Sequence, residues 1–117
     1  MFVTQPRVTN QFAFHPNGRI LVFFQEYQGK TLFNLYDLED ESLITKELPK
    51  LEKVLSADYS PDGLSLVLSG VKNGQSDLYL YRVSGNSLEE LTEDGYDDLD
   101  PSWTADGENI VFSSNRI

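Results

Sequence analysis

The chain has 117 residues, no cysteine and a formal net charge of −10, with 19 acidic side chains against nine basic ones. Disulfides and thiolate metal sites are therefore excluded, and an acidic surface that repels phosphate backbones excludes nucleic acid as a partner. No apolar run approaches the roughly 18 residues that a membrane span requires, and none of signal-peptide length stands at the start. We therefore predict no insertion into a membrane.

A short motif, in which an aromatic residue leads into a turn that closes on glycine, occurs three times along the chain. The closing residues Gly18, Gly63 and Gly107 are 45 and then 44 residues apart. This period is typical of a four-stranded propeller blade. The residues that carry the repeat are Phe14, Pro16, Gly18, Tyr59, Pro61, Asp62, Gly63, Asp77, Pro101, Trp103, Asp106 and Gly107.

The chemistry of the motif predicts a tight hairpin. In the second copy, Pro61 presets φ at the first corner of a type I turn and Asp62 tolerates the second corner. Gly63 then takes the left-handed conformation that closes a three-residue hairpin. The aromatic residue before each turn lies on the innermost strand, where we expect it to pack against a neighbouring blade. For Trp103 the alternative is a stacking platform for a ligand.

Short apolar and aromatic runs, bounded by Gly, Pro, Asn and Asp, predict strands over the whole repeat. In chain order they are expected near residues 11–14, 19–27, 31–38, 43–48, 56–60, 65–72, 76–83, 87–92, 100–104 and 109–115. The predicted fold is all-β: an incomplete β-propeller whose blades are four antiparallel strands.

The repeat divides the chain into units that begin and end within a blade. Residues 1–10 are predicted to be the end of the outer strand and the loop of a preceding blade, 11–55 the first blade, 56–99 the second, and 100–117 the inner half of a third. About two and a half blades, part of a larger protein, are therefore expected. Apolar faces left uncovered at both ends predict self-association.

Two copies of the motif resemble the WD40-like repeat called PD40, which builds the propeller of TolB-like proteins. The resemblance is carried by residues 97–116 and by residues 59–63 with the strand that follows from Asp77. The first copy departs from the pattern, because Asn17 and Leu32 stand where the family favours Asp.

The resemblance implies a closed ring of six or seven blades in complete members, protein binding, and a location in the bacterial periplasm or cell envelope. We therefore predict a non-catalytic module for protein binding or scaffolding, with unidentified protein partners. The alternative is the propeller that precedes the catalytic domain of a serine peptidase of the prolyl oligopeptidase kind, because the same repeat occurs there.

The most acidic part of the chain runs from residue 84 to residue 108, with nine acidic side chains and no Lys or Arg. Within it, Asp94, Asp97, Asp98 and Asp100 lie on the loop that leads into the third inner strand. Three interpretations stay open: a solvated or structural loop, contact with a protein partner, or a Ca²⁺ site. Because the Asp-x-Asp-x-Asp-Gly spacing of a calcium loop is absent, we take Asp97, Asp98 and Asp100 as candidate partner contacts and predict no metal.

The sequence lacks the combinations of residues that known catalytic sites require. The only histidine, His15, occupies the first position of a turn, where Ser60 and Thr104 stand in the other copies. It is interpreted as a side chain that flanks the turn, with a catalytic or metal role as the alternative. No Gly-x-Ser-x-Gly elbow and no glycine-rich phosphate loop occur. We therefore predict no enzymatic activity, no catalytic residue and no cofactor.

Overall fold

The structure, a computed structural model, describes residues 7–48, 50–92 and 98–114. Within these residues the chain forms three antiparallel sheets. The first sheet contains β1 (Arg7–Phe14), β2 (Ile20–Tyr27), β3 (Lys30–Asp37) and β4 (Ser42–Leu48) in that order. The second contains β5 (Lys53–Tyr59), β6 (Ser65–Lys72), β7 (Gln75–Arg82) and β8 (Ser87–Glu90), and the third contains β9 (Asp98–Trp103) and β10 (Ile110–Ser114).

The prediction of an all-β chain with blades of four antiparallel strands, short of a full propeller, is confirmed by this arrangement. Sheets follow one another through their first strands, because β1 contacts β5 and β5 contacts β9. The described residues include no helix with the length and apolarity that a membrane span requires.

The first strand begins earlier than the apolar pattern indicates. Arg7 pairs with Glu26 and Val8 with Gln25, so residues 7–10 belong to the first sheet rather than to a preceding blade. The register shifts between Val8 and Phe12, where β1 is bulged against β2. A bulge of this kind takes up extra residues while pairing continues on both sides, so a polar stretch stays within the strand.

The three glycine-closed turns share one geometry. In the second sheet, the Gly63 amide donates to the Ser60 carbonyl at 2.9 Å, and the Ser60 amide donates to the Ser65 carbonyl at 2.8 Å. Gly18, Gly63 and Gly107 have φ values of 71°, 75° and 74°. This left-handed conformation carries no side-chain penalty in glycine, so the turn sequence itself sets the hairpin.

The next hairpin outward is also the same in both complete sheets. Its two corner residues have positive φ, with 51° and 76° at Gln28 and Gly29 and 54° and 74° at Asn73 and Gly74. Two successive left-handed residues make a type I′ turn, whose twist matches that of the flanking strands.

The core lies between the first and second sheets. Phe33 is fully buried at its centre, with its ring 5.7 Å from Phe24 and 5.0 Å from Tyr81. The buried cluster is Ala13, Val22, Phe24, Phe33, Leu48, Leu51, Val54, Tyr59, Leu66, Leu68, Tyr79 and Tyr81. Burial of each large apolar side chain stabilises by about 1.5–3 kcal/mol, so this interface holds the two sheets together.

One side chain in this core has a strongly altered ionisation. Tyr81 is fully buried, and its hydroxyl donates to the Asn86 side-chain oxygen. Burial raises the pKa of Tyr81 to about 12, and the neighbouring Tyr59 contributes a smaller rise. The folded state therefore strongly favours the neutral phenol.

Raising the pH should weaken the wild-type chain more than the Tyr81→Phe variant. Below pH 10 the phenol is neutral in both folded and unfolded chains, and its contribution to stability is complete. Between pH 10 and about 12 only the unfolded chain ionises, so stability falls by about 1.4 kcal/mol per pH unit. Urea unfolding at pH 8 should show Tyr81→Phe weaker by about 1 kcal/mol; the gap should close between about pH 10.5 and 11 and be reversed by about 1 kcal/mol at pH 11.5.

Tyr27→Phe is the matched control, because Tyr27, at the end of β2, is the same residue type but 45% exposed. Its difference from the wild type should be small throughout. A gap between the wild type and Tyr81→Phe that stays constant from pH 8 to 11.5 would contradict the assignment.

Candidate functional site

The structure describes only part of the predicted acidic contact. Asp97 and Asp94 lie outside the described residues, and of Asp98 only the backbone, which opens β9, is described. Asp100 is exposed, with φ 52°. In the described ranges, no three or more His, Asp or Glu side chains are grouped in a way that could hold a metal ion.

The backbone at Asp100 is unusual for a residue with a side chain. It lies where the pairing of β9 with β10 shifts register, between Val111 and Ser113, and the next residue, Pro101, is buried. Asp and Asn tolerate the left-handed conformation better than most residues, but it still costs about 1–2 kcal/mol. The buried proline and the bulge therefore hold an exposed carboxylate in a defined place.

Where the chain enters β5, the neighbouring sheet exposes charges of both signs. Lys50, Glu52 and Lys53 are all exposed there, so this segment has no single charge to set against Asp100.

Trp103 hydrogen-bonds the third sheet to the second. The Trp103 backbone amide donates to the Asp58 carboxylate at 2.8 Å, and the indole Nε1 donates to the Asp58 carbonyl at 3.2 Å. Trp103 is half-buried, and both its donors are engaged with the second sheet. Its orientation is therefore set by the contact between sheets.

The three aromatic residues at the repeat position differ in burial. Tyr59 is only 7% exposed and Trp103 is half-buried, so both pack against a neighbouring sheet. Phe14 is 55% exposed, so it does not pack against a neighbouring sheet among the described residues. It lines an apolar groove of about 330 Å³ with Phe12, Leu21 and Phe23, because no sheet in the described part of the chain covers that face.

His15 belongs to the contact between the first two sheets. Its ring meets Tyr59 edge-on, with centroids 5.0 Å apart, and its Nδ1 accepts from the Asn17 amide at 3.1 Å. A Cβ added to Gly63 would lie 2.3 Å from its Nε2. The imidazole is thus packed between two turns, a role that a sequence comparison of turns does not reveal.

A cavity of about 440 Å³ lies between the second and third sheets, beside these turns. It is lined by Ser60, Pro61, Asp62, Ser65, Leu80, Arg82, Trp103, Asp106 and Gly107. The Ser60 hydroxyl donates to Asp62 at 2.5 Å, and the Thr104 hydroxyl donates to Asp106 at 2.6 Å. These hydrogen bonds are the main cause that lowers the pKa of each carboxyl, so both stay charged around neutral pH.

Asp77 is buried near the start of β7 rather than solvated. Its carboxylate lies 3.5 Å from the Thr92 hydroxyl, which accepts from the Leu78 amide at 3.0 Å. Through Thr92, Asp77 therefore takes part in a link between β7 and the segment after β8.

Two solved structures share the arrangement of sheets. TolB from Acinetobacter baumannii matches with a TM-score of 0.71 at 23% identity, over 89% of this chain and 26% of its own. A protein provisionally named TolB from Agrobacterium tumefaciens matches with a TM-score of 0.74 at 22% identity, over 95% of this chain and 39% of its own. The chain has the fold of TolB-like propeller blades.

A protein from Agrobacterium fabrum, named Uncharacterized protein Atu1656, is 31% identical over 84 residues, which is 71% of this chain and 29% of that protein. No family model matches the chain. The chain therefore spans 29% of this relative and 26% and 39% of the two solved TolB chains.

The first strands of neighbouring sheets are in contact, β1 with β5 and β5 with β9, and β9 also contacts β6 and β7. At the acidic hairpin between β3 and β4, Arg19 pairs with Asp37 at 2.9 Å, and this hydrogen bond lowers the pKa of Asp37.

Proposed function

We propose that this chain is a protein-binding module of TolB-like propeller blades, without catalytic activity of its own, from a bacterial periplasm or cell envelope. The observation that carries the proposal is the start of β9, where Asp100 presents an exposed carboxylate on a left-handed backbone. Backbone conformations of this cost cluster at sites that contact ligands. Asp97 and Asp98 precede it and complete the proposed contact.

The charge of the chain supports a basic partner surface. A net charge of −10 attracts basic proteins over a distance set by the Debye length, about 8 Å at physiological ionic strength. Rim charges of this kind act mainly on the rate of association and on the choice of partner.

The setting of His15 supports the absence of catalysis. Its Nδ1 accepts from the Asn17 amide, and the opposite edge of its ring faces Gly63. A general base must instead point at a nucleophile within about 3.2 Å. No observation among the described residues favours the alternative of a propeller that precedes a peptidase domain.

Replacing the three acids should weaken partner binding without unfolding the chain. We expect the variant with Asp97→Asn, Asp98→Asn and Asp100→Asn to associate roughly tenfold more slowly with proteins captured from a cell-envelope lysate at low salt. Asn tolerates the left-handed conformation, so the backbone at residue 100 is preserved. Surface plasmon resonance with a captured partner measures the rates, and thermal unfolding checks the fold.

The matched control changes Glu39→Gln, Asp40→Asn and Glu41→Gln on the exposed hairpin between β3 and β4. It removes the same number of negative charges away from the proposed contact. Equal binding by the wild type and both variants would show that Asp97, Asp98 and Asp100 do not contact the partner. An equal loss of binding in both variants would show that only the net charge of the chain matters.

The exposed face of the first sheet supports self-association as part of the same proposal. Phe12 and Phe14 are 52% and 55% exposed and adjoin two further apolar side chains in one groove. Contiguous apolar patches of this kind are typical of interfaces. The Phe14→Ala variant tests whether a second copy of the chain covers this face in solution.

A further inference from the structure

The repeat gives every sheet two faces of different composition. The front face carries the aromatic residue that precedes the glycine-closed turn, and the back face carries a valine on the adjacent strand. The valines are Val22, Val67 and Val111, which pair in that order with Ala13, Asp58 and Ser102. Because successive residues of a strand point to opposite faces, each valine lies on the side away from the aromatic residue.

Both contacts between sheets join a back face to a front face. Val22 of the first sheet and Tyr59 of the second belong to one buried cluster. Val67 of the second sheet is also fully buried, and Asp58, with which it pairs, accepts two hydrogen bonds from Trp103 of the third sheet. The third sheet therefore lies over the back of the second as the second lies over the back of the first.

One face of each kind is left uncovered within the described part of the chain. On the front of the first sheet, Phe12 and Phe14 are both more than half exposed. On the back of the third sheet, Val111 is 62% exposed, whereas Val22 and Val67 are fully buried. Since the residue type is the same in all three sheets, the exposure of Val111 reflects a missing neighbour and not a different sequence.

We propose that the front face of the first sheet is a docking site for a second copy of this chain, which contacts it with the back face of its third sheet. The two copies then meet head to tail, and Val111 of one copy takes the place beside Phe14 of the other that Val22 has beside Tyr59 within one chain. This inference rests on the self-association proposed above and specifies its geometry.

The chemistry of the two faces fits this contact. The groove on the front face is formed by Phe12, Phe14, Leu21 and Phe23. The back face of the third sheet presents Ser102 where the first sheet has Ala13, so a small side chain again faces the aromatic position. None of these residues is charged, and the cores of protein interfaces are depleted of charged residues. Two copies of a chain with a net charge of −10 repel one another elsewhere, so an uncharged contact is favoured.

The same observations favour a head-to-tail contact over a two-fold one. A two-fold dimer through this groove places front face on front face, a combination that neither contact between sheets uses. A back-to-front contact repeats the combination that both of them use. Contacts of this heterologous kind either close into a ring or continue to add copies. The mass of the wild-type chain in solution should therefore exceed that of one copy and rise with concentration.

Blocking one face at a time tests the contact. Phe14→Glu places a charge on the front face and Val111→Glu places one on the back face, and both residues are exposed enough for the fold to be kept. Light scattering from about 10 µM to about 1 mM should show each variant alone with a dissociation constant raised at least about tenfold. Phe12→Glu and Ser102→Glu block the same two faces if thermal unfolding shows that either first variant does not fold.

Leu64→Glu is the matched control. Leu64 is an apolar residue that is 68% exposed on the turn of the second sheet, and the substitution adds the same single charge away from both faces. This variant should associate as the wild type does. An equal loss of association in Leu64→Glu would show that added charge alone causes the effect, and it would overturn the proposal.

A mixture of the two blocked variants gives the decisive measurement. Phe14→Glu keeps its back face and Val111→Glu keeps its front face, so one copy of each should pair through the one intact contact. The mixture should contain a species of twice the mass of one chain and nothing larger, because both outer faces of that pair are blocked. Neither variant should form this species alone.

Two further results would overturn the head-to-tail contact, and they differ in what else they remove. If Val111→Glu associates as the wild type does and mixing adds no new species, the copies meet front to front, and self-association through Phe14 stands. If the wild type stays monomeric over the whole range, self-association itself is wrong. Binding of a basic partner through the acids near Asp100 is measured separately and is affected by neither result.

Discussion

Phe33→Ala is expected to lower the free energy of unfolding by about 3–5 kcal/mol. Phe33 is fully buried between the first two sheets, and its ring lies 5.0 Å from Tyr81 and 5.7 Å from Phe24. Truncation removes buried apolar surface and leaves a cavity that β-sheets on both sides cannot collapse to fill. Since small domains are stable by only about 5–15 kcal/mol, urea unfolding should show a large fall in the midpoint.

Phe14→Ala provides the matched control, because the same residue type is changed on the same sheet. Phe14 is 55% exposed, so its truncation should alter stability by no more than about 0.5 kcal/mol. If Phe33→Ala lowered the free energy of unfolding as little as Phe14→Ala, the assignment of Phe33 to the core would be wrong. A loss that grows with protein concentration for Phe14→Ala would instead support self-association through this face, and light scattering would then show a lower mass for the variant.

Gly63→Ala is expected to cost about 2–4 kcal/mol, more than the same change at the equivalent glycine of the first sheet. Gly63 has φ 75°, and a Cβ there would lie 2.3 Å from Nε2 of His15. The ring would have to move and give up its contact with Tyr59 and the hydrogen bond from Asn17. Gly18 has φ 71° with nothing within 4 Å, so Gly18→Ala should cost only the backbone strain, about 1–2 kcal/mol.

A double-mutant cycle separates strain from crowding. In a chain that carries His15→Ser, Gly63→Ala should cost no more than Gly18→Ala, which corresponds to a coupling of roughly 1–2 kcal/mol between residues 15 and 63. Chemical denaturation of the four chains measures the cycle. If the two substitutions are additive, the imidazole does not occupy the space above Gly63, which would contradict the packing described here.

The contact between His15 and Gly63 also bears on how the blades recognise one another. It joins the turn of one sheet to the turn of the next, and Asp58 with Trp103 joins the second sheet to the third. The two interfaces use different side chains at equivalent positions. Sheets built on one repeat are therefore joined by different contacts: the His15 ring faces Gly63 in one interface, and Pro61 is the side chain nearest Gly107 in the other.

The turns could be predicted from the sequence because every contact that defines them is local. Pro61, Asp62 and Gly63 suit their backbone conformations individually, and the hydrogen bond that closes the turn joins Gly63 to Ser60. The same holds for the alternation of strands, which depends on runs of a few apolar residues between turns. The all-β fold and its blades follow from these short-range preferences together with the period of the repeat.

The start of β1 could not be predicted from local sequence patterns. Residues 7–10 lack the apolar run of the other strands, yet they pair with β2 beyond a bulge. Pairing there depends on the partner strand rather than on the residues themselves. For the candidate contact, sequence could point to the acids near residue 100 but not to the left-handed backbone at Asp100, because an aspartate carries no signature of that conformation.

By itself, the sequence determined the period, the turns and the strand order. The tertiary structure decided which faces are covered: Phe14 and Tyr59 occupy the same repeat position, yet they are 55% and 7% exposed. It likewise decided that His15 packs over Gly63, whereas the side chain nearest the equivalent Gly107 is Pro61. The physical reason is that turns depend on neighbours along the chain, whereas burial depends on side chains about one repeat away, which only the packing of one sheet on the next brings together.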